Sequence, residues 1–159
     1  MSSSSSAVWG IHLHKFLQES LAIEGITRKP TQVEINATIK FIDEPLSVDT
    51  VIDLQKVYAP NMPLRDKPGM DVQVGSYVPP RGTPDMRMKL FTVLQIADPW
   101  KNHIAFESLH PFMDGNGRTG RAVWLWKMFD DGSVNPFSLP FLHRFYYQTL
   151  SNSDGRPKK

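Results

Sequence analysis

His110-Pro111-Phe112-Met113-Asp114-Gly115-Asn116-Gly117-Arg118-Thr119-Gly120-Arg121 packs an imidazole, a carboxylate, a Gly-Asn-Gly turn and two guanidiniums into twelve consecutive residues. Gly115 and Gly117 allow successive backbone amides to turn inward around an anion, and Asn116 between them can add a side-chain donor. The segment from Arg118 to Phe129 is strongly apolar beyond Gly120, so the turn is expected to open a buried helix. The free amides and dipole at such a helix start favour phosphate. Arg118 and Arg121 stand three apart and share a helix face, where they can hold two neighbouring phosphate groups. Asp114 is placed like a carboxylate that carries Mg²⁺ bridging those phosphates, and His110 is left as a general base for neutral pH. The inventory suits a nucleoside triphosphate.

These twelve residues resemble the signature of the Fic family, HPFx(D/E)GNGRxxR, and match it at every specified position. The resemblance implies a mainly α fold, the Fic fold, in which a helical bundle carries a small β-hairpin flap over the active site. It also implies a Mg²⁺-dependent protein adenylyltransferase with ATP as substrate. In that reaction His110 deprotonates a Ser, Thr or Tyr hydroxyl of a target protein, the oxygen attacks the α-phosphorus of ATP, and pyrophosphate leaves. By the same resemblance Asp114 holds the metal and Gly115, Asn116 and Gly117 form the anion hole. Arg118 then contacts the leaving phosphates and Arg121 fixes the γ-phosphate. Relatives on the same scaffold transfer other groups or remove AMP by hydrolysis. The alternative from another class is a nucleotide-binding regulatory or toxin-type module without transfer, which would have no need of His110.

Upstream, apolar residues from Val8 to Ile23 recur at roughly helical spacing, so an amphipathic helix is expected over about 7–24, with Gly25 as its stop. Its end, Ser20-Leu21-Ala22-Ile23-Glu24-Gly25, matches a second Fic-family pattern, (S/T)xxxE(G/N), the inhibitory motif. An acid near a helix C-terminus opposes the dipole unless a guanidinium partners it. The resemblance implies that Ser20 and Glu24 are inhibitory, with Glu24 pairing to Arg121 in place of the γ-phosphate. The chain thus resembles the class inhibited from within its own sequence.

The remaining segments are read as scaffold, flap and tails around a single Fic domain over 7–152. Thr31 and Glu34 form a capping box opening a helix to Ile42, and Ser47 caps a second that ends before Pro60. Val72 to Val78 is two β-prone runs about Gly75-Ser76, a hairpin signal; by the resemblance the stretch at about 70–79 is the flap, whose Val72, Gln73 and Val74 dock the target by main-chain pairing. Thr83-Pro84-Asp85 is expected to open a largely buried helix through about Ala97, with Met86, Leu90, Phe91, Val93, Leu94 and Ile96 inward. Another helix from Trp100 to Leu109 leads to His110; its His103 and Glu107, four apart, read as a hydrogen-bonded polar face and not as a metal pair. A last helix is expected over Leu139 to Leu150, making about seven, and Tyr146 and Tyr147 resemble a tyrosine pair near the adenine, with core packing as the equal reading.

The polyserine run within residues 1–6 and the tail at 153–159 are expected to be mobile. A chain of 159 residues with 40% apolar content suffices for one core. A net charge of +2 is too small to argue for a nucleic-acid surface, the apolar runs are shorter than a membrane span, and the lack of cysteine suits a reducing cytoplasm. The implied partners are a hydroxyl-bearing target protein and ATP, with self-association left open.

Overall fold

The computed structural model describes residues 3–132, with side chains from His12 onward. Six helices carry this part: α1 (Ser3–Ile23), α2 (Gln32–Asp43), α3 (Val48–Tyr58), α4 (Met86–Leu94), α5 (Pro99–Leu109) and α6 (Asn116–Asp131). The two sequence-encoded caps act as expected. Thr31 Oγ1 accepts from the Glu34 amide at 3.1 Å while the Glu34 carboxylate accepts from the Thr31 amide at 2.8 Å. At α3 the Ser47 and Thr50 hydroxyls accept from each other's amides, both at 3.1 Å. Each such cap is worth about 1 kcal/mol.

α6 is the central element. Its Ala122, Val123, Trp124, Leu125 and Met128 are buried, and it packs against α1, α2, α3 and, most extensively, α5. α1 contributes Leu13, Phe16, Leu17 and Leu21 to that core, and the Phe16 ring stacks on Trp124 with centroids 6.2 Å apart. Such a pair adds about 1 kcal/mol beyond the area it buries. α1 closes on a Schellman turn. Gly25 takes φ 75°, its amide donates to Ala22, and the Ile26 amide donates to Leu21, both at 3.0 Å. The linker to α2 is pinned by Arg28, whose two nitrogens reach the two oxygens of Glu34 at 2.9 and 3.0 Å.

Several expectations are corrected. α1 is continuous from Ser3, through most of the serine run, where periodicity starts it at Ala7; extending an existing helix costs little per residue. α4 starts at Met86, because the Thr83 hydroxyl bonds the Asp85 carboxylate and the Met86 amide donates to Thr83 O at 3.0 Å, making a separate turn ahead of the helix. It also stops at Leu94, and Phe91 is 51% exposed, so Met86, Leu90 and Leu94 alone form its buried stripe. The hairpin is reduced to one pair, Val74 and Tyr77, exchanging bonds of 2.8 and 2.9 Å around Gly75-Ser76. Pro79 and Pro80 follow at once and have no amide to donate, so the ladder cannot lengthen. The expected seventh helix, with Tyr146 and Tyr147, lies outside the described residues. Among the described residues no helix is long and apolar enough to cross a membrane.

Candidate active site

α5 ends at Leu109 and the chain turns sharply, with His110 in the left-handed conformation at φ 52°. The loop that follows is zipped onto the segment before the flap. Arg65 N donates to Pro111 O at 2.9 Å and Met113 N to Pro63 O at 3.0 Å, around an antiparallel bridge between Leu64 and Phe112. Asn116 braces the same loop from within. Its Nδ2 donates to Phe112 O at 2.7 Å and its Oδ1 accepts from Phe112 N at 2.8 Å. The side chain expected to add a donor for an anion is therefore turned inward, and it shapes the loop.

Gly115 caps α6 at φ 79°, and a Cβ there would lie 2.9 Å from Ala59 Cβ, so both conformation and space require glycine. The first bond of the helix runs from Thr119 N to Gly115 O at 3.0 Å, so the amides of Asn116, Gly117 and Arg118 precede the ladder. Gln55 of α3 holds this corner through Nε2, bonded to Met62 O at 2.5 Å and Asp114 O at 3.0 Å.

His110, Asp114, Gly115, Asn116, Gly117 and Arg118 line one cleft of about 490 Å³, together with Glu24, Glu107 and the flap residues Val72, Gln73 and Val74. A larger concavity of about 790 Å³ between α3, α4 and α6 holds none of the motif residues, so volume alone would choose the wrong place. His110 Nδ1 donates to Glu107 O at 3.3 Å, which leaves Nε2 as the basic nitrogen of the neutral ring. The Asp114 side chain is exposed, and its Oδ1 accepts from Gly115 N at 2.7 Å. Among the described residues no three acid or histidine side chains gather as a metal cage. Asp114 is the exposed carboxylate of a cleft that also holds Glu24 and Glu107, and one such group fits Mg²⁺, which takes one or two carboxylates and completes its shell with substrate phosphates and water. His103 is fully buried and its Nδ1 donates to Gly120 O at 3.1 Å, the hydrogen-bonded role expected of it.

The two arginines share a helix face but not an environment. Arg118 Nη1 donates to Tyr58 O at 2.7 Å at the cleft wall. Arg121 is fully buried and turned to the end of α1: Nε donates to Ser20 Oγ at 2.7 Å, and Nη2 to Ser20 O and to Glu24 Oε1, both at 2.9 Å. Gly117 leaves room for this contact, since a Cβ on it would run into Glu24 Oε1.

The Fic/DOC family model matches residues 45–127, just over half of the chain, from ahead of α3 into α6. The chain belongs to the Fic/DOC family. Comparison with curated proteins gives no match. The matched part of this Fic chain holds the flap, the His110 loop and both arginines, whereas α1 with Ser20 and Glu24 precedes it. Reading the sequence passes over two residues that shape the Fic site. Gln55 stands on the inward face of α3 among Val51 and Tyr58, and a polar residue there was a readable signal; Arg65, in a Pro-rich loop, gave none.

Proposed function

We propose that this Fic protein transfers AMP from ATP to a Ser, Thr or Tyr hydroxyl of a target protein, and that Glu24 holds the activity back. The observation that carries the reading is one cleft lined by His110, Asp114 and the start of α6, whose rim residue Glu24 is already bonded to Arg121. His110 Nε2 takes the proton of the target hydroxyl, a step in which a placed base contributes on the order of 10²–10⁴-fold. The hydroxyl oxygen bonds to the α-phosphorus, the bond from that phosphorus to the bridging oxygen breaks, and pyrophosphate departs. The amides of Asn116 and Gly117, set by the left-handed turn at Gly115, cradle phosphate oxygens as the charge shifts. Arg118 meets the leaving phosphates from the cleft wall. Asp114 would hold Mg²⁺, which would supply positive charge against the leaving group. Val72, Gln73 and Val74 offer main-chain groups to an extended target segment.

Glu24 and Ser20 occupy the guanidinium of Arg121 that would otherwise receive the γ-phosphate. ATP displaced by about an ångström loses on the order of a hundredfold in rate, so the carboxylate need not block the cleft to act as a brake. One further reading has an observation in its favour: Glu24 lines the same cleft as His110, where it could position a water for removal of AMP.

The test uses the Glu24→Gly protein and ATP labelled on either the α- or the γ-phosphorus. Label entering protein from the α-position alone is expected. Label from the γ-position would make the protein a kinase, and no label would contradict transfer. Release of AMP from already modified protein by the wild type would favour the removal reading.

A further inference from the structure

Arg65 lies in the loop ahead of the flap and is fully buried, and among the described residues the hydrogen bonds of its guanidinium all go to backbone carbonyls. Nε donates to His110 O at 2.7 Å and Nη2 to Leu109 O at 2.9 Å, the carbonyls of the cap and of the last residue of α5, where the chain turns left-handed. Nη1 donates to Met70 O at 3.1 Å and to Pro80 O at 2.8 Å, on the two sides of the flap's base. One planar fork thus joins the backbone of His110 to both legs of the flap. The main chain of Arg65 adds to the joint, accepting from Thr83 N at 3.1 Å and donating to Pro111 O at 2.9 Å. A buried charge opposes folding unless its hydrogen bonds are met, so a residue wanted only for filling space would be apolar. Only arginine carries donors enough, in a rigid plane, for four carbonyls on three segments. Lysine has three donors on one rotatable nitrogen, and they cannot span that plane.

We propose that Arg65 is a positioning residue for the transfer reaction, fixing the His110 backbone and the base of the flap to one another so that base and docked hydroxyl meet in register. The inference rests on the reading of His110 as the base and of the flap as the docking edge. The Gly115 turn that would receive the anion is braced by other side chains, Gln55 through Asp114 O and Asn116 through the Phe112 backbone, and so is separable from Arg65.

The experiment compares Arg65→Lys and Arg65→Met, each in the Glu24→Gly background, by ATP binding in calorimetry, by the rate of self-modification with ATP, and by hydrogen exchange of the amides in 70–83 and 110–113. Affinity for ATP within about twofold of the parent, transfer slower by on the order of a hundredfold, and faster exchange in both segments at once are expected. Exchange left unchanged in either segment overturns the proposal, and this arm decides even if the parent transfers nothing, an outcome that would instead sink the adenylyltransferase reading. Loss of ATP binding in step with rate, or failure of both variants to fold, would assign Arg65 to general stability and also overturn it.

Discussion

Arg121 Nη2 on α6 and Glu24 Oε1 beyond the end of α1 meet at 2.9 Å across 97 residues of chain. The guanidinium is fully buried and the carboxylate side chain a quarter exposed, so the contact sits at the boundary between core and cleft. That placement ties the end of α1 to α6 at the edge of the cleft. The partner oxygen of Ser20 keeps the guanidinium satisfied in part when Glu24 leaves. Loss of the Glu24 contact should therefore cost less than removing one member of an isolated buried pair, which runs to about 3–5 kcal/mol.

Replacing Glu24 with glycine should leave the protein folded and raise its rate of self-modification by on the order of tenfold or more. Rates from quantitative mass spectrometry under matched ATP decide this, and equal rates in the two proteins would remove the brake.

On the proposed reading, His110→Ala removes the base and leaves the backbone turn at Gly115 in place. Transfer should fall by at least about a hundredfold while calorimetry finds ATP binding near that of the parent. Retained transfer would sink the assignment of the base.

Asp114→Ala is expected to abolish transfer and, with it, the response to added Mg²⁺. A variant that still responds to the metal would mean that the ligand is another residue.

Gly115→Ala tests the turn itself. The positive φ of 79° and the approach of Ala59 both oppose a methyl group, and together they should cost about 2 kcal/mol or more in urea denaturation. A loss under about half of that would mean the turn relaxes freely.

Stability toward acid should depend on Glu34. Burial works against its charge, but Arg28 and the Thr31 amide outweigh that and hold its carboxyl below the usual range. A folded value below the unfolded one contributes stability above the unfolded pKa and loses it as pH falls through the folded value. Melting temperatures taken from pH 6 down to about 3 should thus fall more steeply in the wild type than in Glu34→Gln, the difference opening around the ordinary Glu value of about 4.3 and growing below it. Parallel curves would show the pair to be without effect.

What could be read in the sequence divides along the range of the interaction. The Thr31 and Ser47 caps, the Gly25 stop and the Gly115 turn are legible because each is settled within a few residues. The Glu24 contact became legible through two motifs read together, since neither alone names its partner. Gln55 and Arg65 act on backbone carbonyls 59 and 45 residues away, and a carbonyl carries no side-chain identity to match. The inward turn of Asn116 was hidden for a related reason: the group it satisfies is the main chain of Phe112. The flap was overextended because β-propensity counts valines, whereas the ladder stops where Pro79 and Pro80 lack donors.

Adenylyl transfer by His110 under the restraint of Glu24, as proposed, is decided by intact mass. Glu24→Gly, the wild type and Glu24→Gly with His110→Ala are each incubated with Mg²⁺ and ATP, UTP, GTP or CTP. An added AMP from ATP is expected, most in Glu24→Gly, less in the wild type and none without His110. An adduct that forms without His110, or none with ATP in the Glu24→Gly protein, would contradict it.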